Sequence, residues 1–191
     1  MALDFLVTPD VLVPNPDTEV LVQRAVEWGR SRPGPLRFAD LGTGSGCIAV
    51  SVAYYLPAAT VDATDVSPAA LEVARRNAEK HGVAGRVRVL EGDLTAPLAG
   101  RYDAVLANLP YLLPGAELGK EVLAQPALAL FGGPGLVNQL LAELPRLLSP
   151  EGVALLEIDP VITADLKLDG LAGTRILKDL GGLDRVLEAW T

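Results

Sequence analysis

One stretch restricts the possible folds of this chain more than any other: an apolar strand that ends in an acid and runs into three alternate glycines. Its sequence is Asp40-Leu41-Gly42-Thr43-Gly44-Ser45-Gly46, and an apolar run, Cys47-Ile48-Ala49-Val50, follows it. Glycine has no Cβ, so such a turn can adopt positive φ values and let a ligand lie against bare backbone. The pattern predicts a buried strand, a tight turn that binds a ligand, and a helix that begins near Cys47.

The rest of the chain alternates predicted strands and helices. Helices are predicted over residues 16–29, from 47, and over 68–81, 136–148 and 161–168; strands are predicted over 36–41, 60–65, 86–90, 102–107, 153–158, 174–178 and 185–189. Strands that alternate with helices favour right-handed crossovers and a mostly parallel sheet with helices on both faces. The last two strands are separated only by residues 179–183, which predicts an antiparallel hairpin at one edge. The expected fold is therefore α/β and Rossmann-like, with seven strands.

Length and composition favour one domain over residues 1–191, because half of the residues are hydrophobic and 191 residues suffice for one substantial core. Residues 1–14 are expected to form an arm or a short hairpin. Residues 112–134 carry Pro and Gly without a steady period, and a long stretch of this kind inside a domain is usually functional. No apolar run approaches the roughly 20 residues that span a bilayer, so we expect a cytoplasmic protein without membrane contact.

Charge and residue counts exclude several functions. The formal net charge is −8, which is the wrong sign for a protein that neutralises nucleic-acid phosphates, so nucleic-acid binding is not expected. The chain has one histidine, His81, and one cysteine, Cys47. One histidine and one cysteine are too few for a metal cluster and argue against a Ser-His-Asp triad as the catalytic device, so neither is predicted, and no metal site is predicted.

Four consecutive strand ends each deliver a polar or glycine-rich group, and in an open parallel sheet ligands bind at this edge. The third glycine of the loop comes one place too early for the G-x-G-x-x-G dinucleotide pattern. A G-x-G-x-G loop suits a ligand whose amino-acid portion lies over the turn. Asp65 would accept both ribose hydroxyls, and Asp93 would face an adenine amine. These features fit S-adenosylmethionine better than a nicotinamide dinucleotide. The predicted cofactor-binding residues are Asp40, Gly42, Thr43, Gly44, Gly46, Asp65, Val66, Asp93, Leu94 and Asn108.

The segment Asn108-Leu109-Pro110-Tyr111 lies one strand further along, where an activated methyl group would emerge. The side-chain oxygen of Asn108 and the main-chain oxygen of Leu109 could accept two N–H bonds from a planar amino group, and Tyr111 could pack on its flat face. An amide nitrogen is a poor nucleophile, so positioning is the main contribution that a protein can make. We predict that Asn108, Leu109, Pro110 and Tyr111 form the catalytic site. The sequence places no strong base near them, and the reaction does not clearly need one before transfer.

The chain resembles the HemK/PrmC-type protein-glutamine N5-methyltransferases, which modify the glutamine of the Gly-Gly-Gln loop in peptide-chain release factors. The matching segments are residues 13–19, the glycine loop, residues 108–111, which are similar to the family's Asn-Pro-Pro-Tyr motif, and residues 126–133 and 179–185. The resemblance implies a class I methyltransferase that uses S-adenosylmethionine, releases S-adenosylhomocysteine and acts on a release factor.

The chain departs from the family pattern in four places. Leu109 replaces a proline, Asn15 stands where the family usually has arginine, and Asp159-Pro160-Val161-Ile162 replaces a segment that usually carries glycine and glutamine. The chain also begins where the family's N-terminal helical domain would end, so a partner chain could take its place. Three other functions stay open: methylation of an exocyclic amine in DNA or RNA, a degenerate homologue that binds cofactor and serves as an interaction protein, and, more distantly, a nicotinamide oxidoreductase.

Overall fold

Seven strands form one mixed sheet in the computed structural model, which describes residues 3–113, 115, 119, 125–179 and 181–191. The strands are β1 (Arg37–Leu41), β2 (Thr60–Asp65), β3 (Val87–Glu91), β4 (Tyr102–Ala107), β5 (Leu148–Glu157), β6 (Gly173–Lys178) and β7 (Asp184–Trp190). Their order is β3-β2-β1-β4-β5-β7-β6. The first five are parallel, whereas β7 is antiparallel to both β5 and β6. The predicted seven-stranded sheet with an antiparallel C-terminal hairpin is therefore confirmed.

Helices cover both faces of the sheet. They are α1 (Thr18–Arg30), α2 (Cys47–Tyr55), α3 (Pro68–Lys80), α4 (Ala127–Leu130), α5 (Gly133–Leu147) and α6 (Pro160–Thr163). Buried residues of α1 and α2 form one hydrophobic core against the sheet, and buried leucines of α5 form a second core on the opposite face. No helix in the described ranges is long and apolar enough to cross a membrane.

Two of the differences from the sequence-based predictions have local reasons. β5 begins at Leu148, five positions before the predicted start at residue 153, because Leu148 pairs with Tyr102 ahead of a register shift in the β4–β5 pairing. The helix predicted over 161–168 is a single turn. The side chain of Asn138 donates to the carbonyl of Asp165 at 3.0 Å and accepts from the amide of Lys167 at 2.7 Å. These bonds use the backbone groups that a longer helix would need.

Residues 3–13 run as an arm along α3 and attach to the glycine loop through one side chain. The amide of buried Asn77 accepts from the Leu6 N–H at 2.8 Å and donates to the Leu6 carbonyl at 2.9 Å. The same side chain donates to the carbonyl of Ser45 at 2.8 Å. Val11 is buried against Ala70 and Val73. The arm is therefore fixed beside the turn that the sequence predicts as a ligand site.

Arg86 caps the C-terminal end of α2, and its removal should destabilise the fold. Its guanidinium donates to the carbonyls of Ala53, Leu56 and Ala59, which lie at or beyond the end of that helix. The Arg86→Ala substitution leaves these carbonyls without their charged donor, so we expect a loss of about 2 kcal/mol in the free energy of unfolding, measured by urea denaturation. The Arg75→Ala variant is the control, because Arg75 is exposed and its ion pair with Glu72 is long, at 3.8 Å. Equal loss in both variants would contradict the capping role.

Candidate functional site

A cavity of about 430 Å³ opens at the carboxyl ends of the central strands. The ends of the central strands and the glycine loop line it with Gly42, Thr43, Gly44, Asp65, Val66, Asp93, Leu94, Asn108, Leu109 and Pro110. The arm and the residue after it contribute Asp10, Val11, Leu12 and Pro14. Two of the predicted cofactor residues, Asp40 and Gly46, are not among its lining residues. The structure thus brings eight of the ten predicted cofactor residues to one cavity, and the arm supplies a wall that the sequence did not indicate.

The glycine loop has the backbone conformation that its sequence suggests. Gly42, Gly44 and Gly46 have φ values of 67°, 55° and 78°. At Gly46 an added Cβ would lie 3.0 Å from the Cβ and 3.1 Å from the Cα of Ala74 on α3, so glycine is required there both for backbone conformation and for helix contact. The loop therefore presents bare backbone to the cavity while α3 packs directly behind it.

Asp65 is held at the end of β2 by two backbone amides. Its Oδ2 accepts from the N–H of Gly44 at 2.9 Å, and its Oδ1 accepts from the N–H of Ser67 at 2.9 Å. One bond ties the carboxylate to the glycine loop and the other ties it to the N-cap of α3. Each oxygen keeps a further lone pair for a ligand hydroxyl. The side chain is thus oriented before any ligand arrives.

Asp40 lies behind the glycine loop in a fully buried position. Its Oδ2 accepts from the Thr43 hydroxyl at 2.6 Å and from the Ala49 N–H at 3.1 Å, so it fixes the loop to the start of α2. Its Oδ1 is the one buried side-chain oxygen or nitrogen in the described part of the chain that has no hydrogen-bond partner. Burial raises the pKa of this carboxyl to about 7.

The buried Asp40 carboxyl should make the stability of the cofactor-free protein depend on pH. Because its pKa rises on folding from about 3.8 to about 7, it adds stability below pH 4 that is lost as the pH rises toward 7. Between about pH 4 and pH 7, the free energy of unfolding of wild type should fall by roughly 2–4 kcal/mol more than that of an Asp40→Asn variant. Urea denaturation across this range measures it, and Asp169→Asn, at an exposed site, is the control. Parallel curves for wild type and Asp40→Asn would contradict the assignment.

A second cavity of about 330 Å³ adjoins the first. Asn108, Leu109 and Pro110 line both cavities, whereas Tyr111 lines only the second, with Asn15, Pro16, Gln125 and Glu157. Three of the four predicted catalytic residues therefore lie between two adjoining cavities, and the fourth, Tyr111, lies in the second. This arrangement suits a reaction in which a group passes from a ligand in one cavity to an acceptor in the other.

The segment after β4 is packed tightly against two glycines. Leu109 is 4% exposed, and its Cδ2 would lie 3.1 Å from a Cβ added at Gly42. A Cβ added at Gly132 would lie 2.3 Å from the carbonyl oxygen of Pro110, so only glycine permits this approach. Residues 126–133, a segment of the family resemblance, thus form a wall against residues 108–111. Leu109, which departs from the family pattern, fills space beside the glycine loop.

Two buried residues that the sequence did not indicate complete the site. The Thr18 hydroxyl donates to Glu157 Oε2 at 2.7 Å, and Asn108 Nδ2 donates to Thr18 Oγ1 at 3.1 Å. Glu157 is 2% exposed, and burial raises its pKa to about 7. The expectation that no base lies near the catalytic segment holds along the sequence but not in space, because β5 brings Glu157 beside Asn108. An isolated acid inside the apolar run 153–158 was the available signal.

Arg185 forms ion pairs with three acidic side chains near Tyr111. Its guanidinium lies 3.3 Å from Asp17, 3.5 Å from Asp159 and 2.9 Å from Asp179. These carboxylates belong to the start of α1, the segment after β5 and the turn between β6 and β7. Asp159 also caps α6 by accepting from the Val161 N–H at 2.9 Å. Arg185 therefore joins Asp159 and Asp179 to Asp17, the residue before Thr18 at the start of α1.

The sheet order and the glycine loop beneath a cavity define a class I S-adenosylmethionine-dependent methyltransferase. Residues 18–147 match the family described as methyltransferase small domain. A solved RNA methyltransferase from Salinibacter ruber, in complex with S-adenosyl-L-homocysteine, has the same fold with a TM-score of 0.61 at 23% identity, covering 94% of this chain and 93% of that one.

Sequence relatives narrow the class to one family. The release factor glutamine methyltransferase of Moorella thermoacetica is 45% identical over 206 residues, covering 100% of this chain and 71% of the relative. That of Gloeobacter violaceus is 43% identical, covering 98% of this chain and 70% of the relative. The chain belongs to the release factor glutamine methyltransferase family. The resemblance inferred from the sequence motifs is confirmed.

Proposed function

We propose that this protein transfers a methyl group from S-adenosylmethionine to the side-chain amide nitrogen of a glutamine in a peptide-chain release factor. The observation that carries the proposal is the position of Asn108, Leu109 and Pro110 between two adjoining cavities. One cavity has the features of a cofactor site, and the other is large enough for an extended side chain. The relatives at 43–45% identity carry the name of this activity.

The first cavity fits S-adenosylmethionine in shape and chemistry. Backbone of the loop Gly42–Gly44 would lie against its amino-acid portion, and the preoriented carboxylate of Asp65 would accept from the ribose hydroxyls. Asp93, exposed at the cavity wall, would accept from the adenine amine, with Val66 and Leu94 beside the ring. When bound, S-adenosylmethionine supplies a methyl group on a sulfonium, which is electrophilic without help from an acid.

The second cavity would orient the acceptor. Asn108 Oδ1 and the main-chain oxygen of Leu109 would accept the two N–H groups of the glutamine amide, while Tyr111 packs on its flat face. Burial raises the pKa of Tyr111 to about 12, so its ring stays neutral. The nitrogen of an amide is a weak nucleophile, and these contacts would hold it on the line to the methyl group. The N-methylated amide is strongly acidic before it loses its extra proton, so transfer does not require a strong base.

The proposal is tested with a purified release factor. We expect mass spectrometry to find one added methyl group on the glutamine of its Gly-Gly-Gln loop, and none when that glutamine is replaced by alanine. Methylation of single-stranded DNA or RNA in place of the release factor would overturn the proposal. Cofactor binding by calorimetry without transfer to either acceptor would favour an interaction protein.

We further propose that residues 1–191 work as one methyltransferase unit in the cytoplasm, where release factors act. The arm supports this view because it lines the first cavity, and the two C-terminal strands support it because they are tied to the start of α1, beside the site. Asn77 connects the arm to the glycine loop, and Arg185 connects the hairpin of β6 and β7 to Asp17 at the start of α1. Removal of the first 14 residues would then weaken cofactor affinity.

A further inference from the structure

We propose that Thr18 and Glu157 are positioning residues that fix the side-chain amide of Asn108 with its oxygen turned toward the acceptor. This inference rests on the proposed function, since it concerns how Asn108 receives the glutamine amide. It gives a role to the buried carboxylate of Glu157, which methyl transfer does not need as a base. Neither residue contacts the reacting atoms directly in this role.

The positions of the two residues follow from the sheet register. Ala107 of β4 pairs with Leu156 of β5, so the residues that follow them, Asn108 and Glu157, are neighbours at the same edge. Thr18 is the first residue of α1, and it lies between them. Thr18 is 4% exposed and Glu157 is 2% exposed, so water does not compete for these contacts.

The direction of the hydrogen bonds determines how the Asn108 amide is turned. A hydroxyl carries one hydrogen, and Thr18 gives it to Glu157 Oε2 at 2.7 Å. Its oxygen can then only accept, so the group of Asn108 that lies 3.1 Å away must be the NH₂. The Asn108 oxygen consequently faces away from Thr18, toward the acceptor. An ionised Glu157 enforces this arrangement because a carboxylate can only accept hydrogen bonds.

Protonation of Glu157 would remove that constraint. A neutral carboxyl can donate to Thr18, which frees the threonine hydrogen to donate to the Asn108 oxygen and favours the reversed amide. Burial and the neighbouring Asp17 raise the pKa of Glu157 to about 7, while Thr18, Asn108 and Arg185 oppose the rise. The acceptor-binding orientation should thus be lost as the pH falls through about 7.

Among the other groups near this cluster whose pKa is shifted, one has a pKa in that range. Tyr111, and Cys47 from α2, have pKa values raised to about 12, and the pKa of Arg185 from β7 is raised from an already high value. The exception is Asp40, whose pKa is about 7. It lies behind the glycine loop and contacts Thr43, so its titration should change cofactor affinity.

Kinetics of four proteins tests the proposal: wild type, Thr18→Ala, Thr18→Ser and Glu157→Gln. We expect Thr18→Ala to lower kcat about 10- to 100-fold with cofactor affinity unchanged, and Thr18→Ser to restore it to within about threefold. Wild-type kcat should fall about tenfold per pH unit below the Glu157 pKa of about 7, and Glu157→Gln should lack this limb. Three results would overturn the proposal. They are a Thr18→Ala variant with the kcat of wild type, equal losses of kcat in Thr18→Ala and Thr18→Ser, and a Glu157→Gln variant whose kcat falls at low pH as that of wild type does.

A measurement without catalysis separates this inference from the proposed function. The side-chain NH₂ signals of Asn108 in a ¹⁵N-labelled protein are identified by their loss in Asn108→Ala. We expect them to shift with a midpoint near the Glu157 pKa of about 7 in wild type and not in Glu157→Gln. If these signals do not change with pH in wild type, the proposed effect of Glu157 on Asn108 through Thr18 is overturned, even when the enzyme is active. A wild type that methylates no release factor but shows the shift would overturn only the proposed function.

Discussion

The Asn108→Ala variant is expected to lose methyl transfer by about 100- to 1000-fold while its affinity for S-adenosylmethionine stays within about threefold of wild type. The substitution removes the side-chain oxygen that would receive the acceptor amide, and it leaves the glycine loop and Asp65 intact. Single-turnover methylation of the release factor measures the first quantity, and calorimetry with the cofactor measures the second.

Asn108 lines both cavities, so the test depends on transfer being lost while cofactor affinity is kept. The Asn138→Ala variant is the matched control: its side chain binds backbone at residues 165 and 167, outside both cavities, so transfer should be preserved. Loss of cofactor affinity in parallel with transfer would assign Asn108 to the cofactor site. Unchanged transfer would remove it from the reaction.

The fold could be predicted from sequence because its determinants are local. Each strand that supports the site ends in a polar or glycine-rich group, and parallel strands bring those ends to one edge. Asp65 and Asn108 could therefore be placed together although they are 43 positions apart in the numbering. The short link at residues 179–183 likewise determined the antiparallel hairpin.

The remainder of the site depends on contacts that no local pattern encodes. Thr18 and Glu157 are 139 positions apart, and their contact requires both the β4–β5 register and the docking of α1. The helix predicted over residues 161–168 is only one turn long for a similar reason. The side chain that binds its backbone groups belongs to Asn138 on α5. The arm is a third case: Asn77 of α3 determines where it lies. Sequence periodicity describes single elements, whereas these residues act between elements.

The Asp65→Asn variant is expected to weaken S-adenosylmethionine binding about 100-fold. An asparagine has one acceptor oxygen, so it cannot satisfy the N–H groups of both Gly44 and Ser67 as the carboxylate does. Its NH₂ group would face one of those donors, and charge-assisted bonds to the ribose hydroxyls, worth about 1.5–3 kcal/mol each, would be weakened as well. Both effects act on the loop and the ligand together, which is why the expected loss is large for a change of one atom.

Calorimetry with S-adenosylmethionine and with S-adenosylhomocysteine measures this loss, and both ligands should be affected equally because they share the ribose. The Asp169→Asn variant, which makes the same change in charge at an exposed position, should bind both ligands as wild type does. Unchanged affinity in Asp65→Asn would mean that the carboxylate serves only the loop. A loss confined to one ligand would place Asp65 near the sulfur instead of the ribose. The affinity of two ligands for one variant thus tests the orientation of the cofactor along the sheet edge.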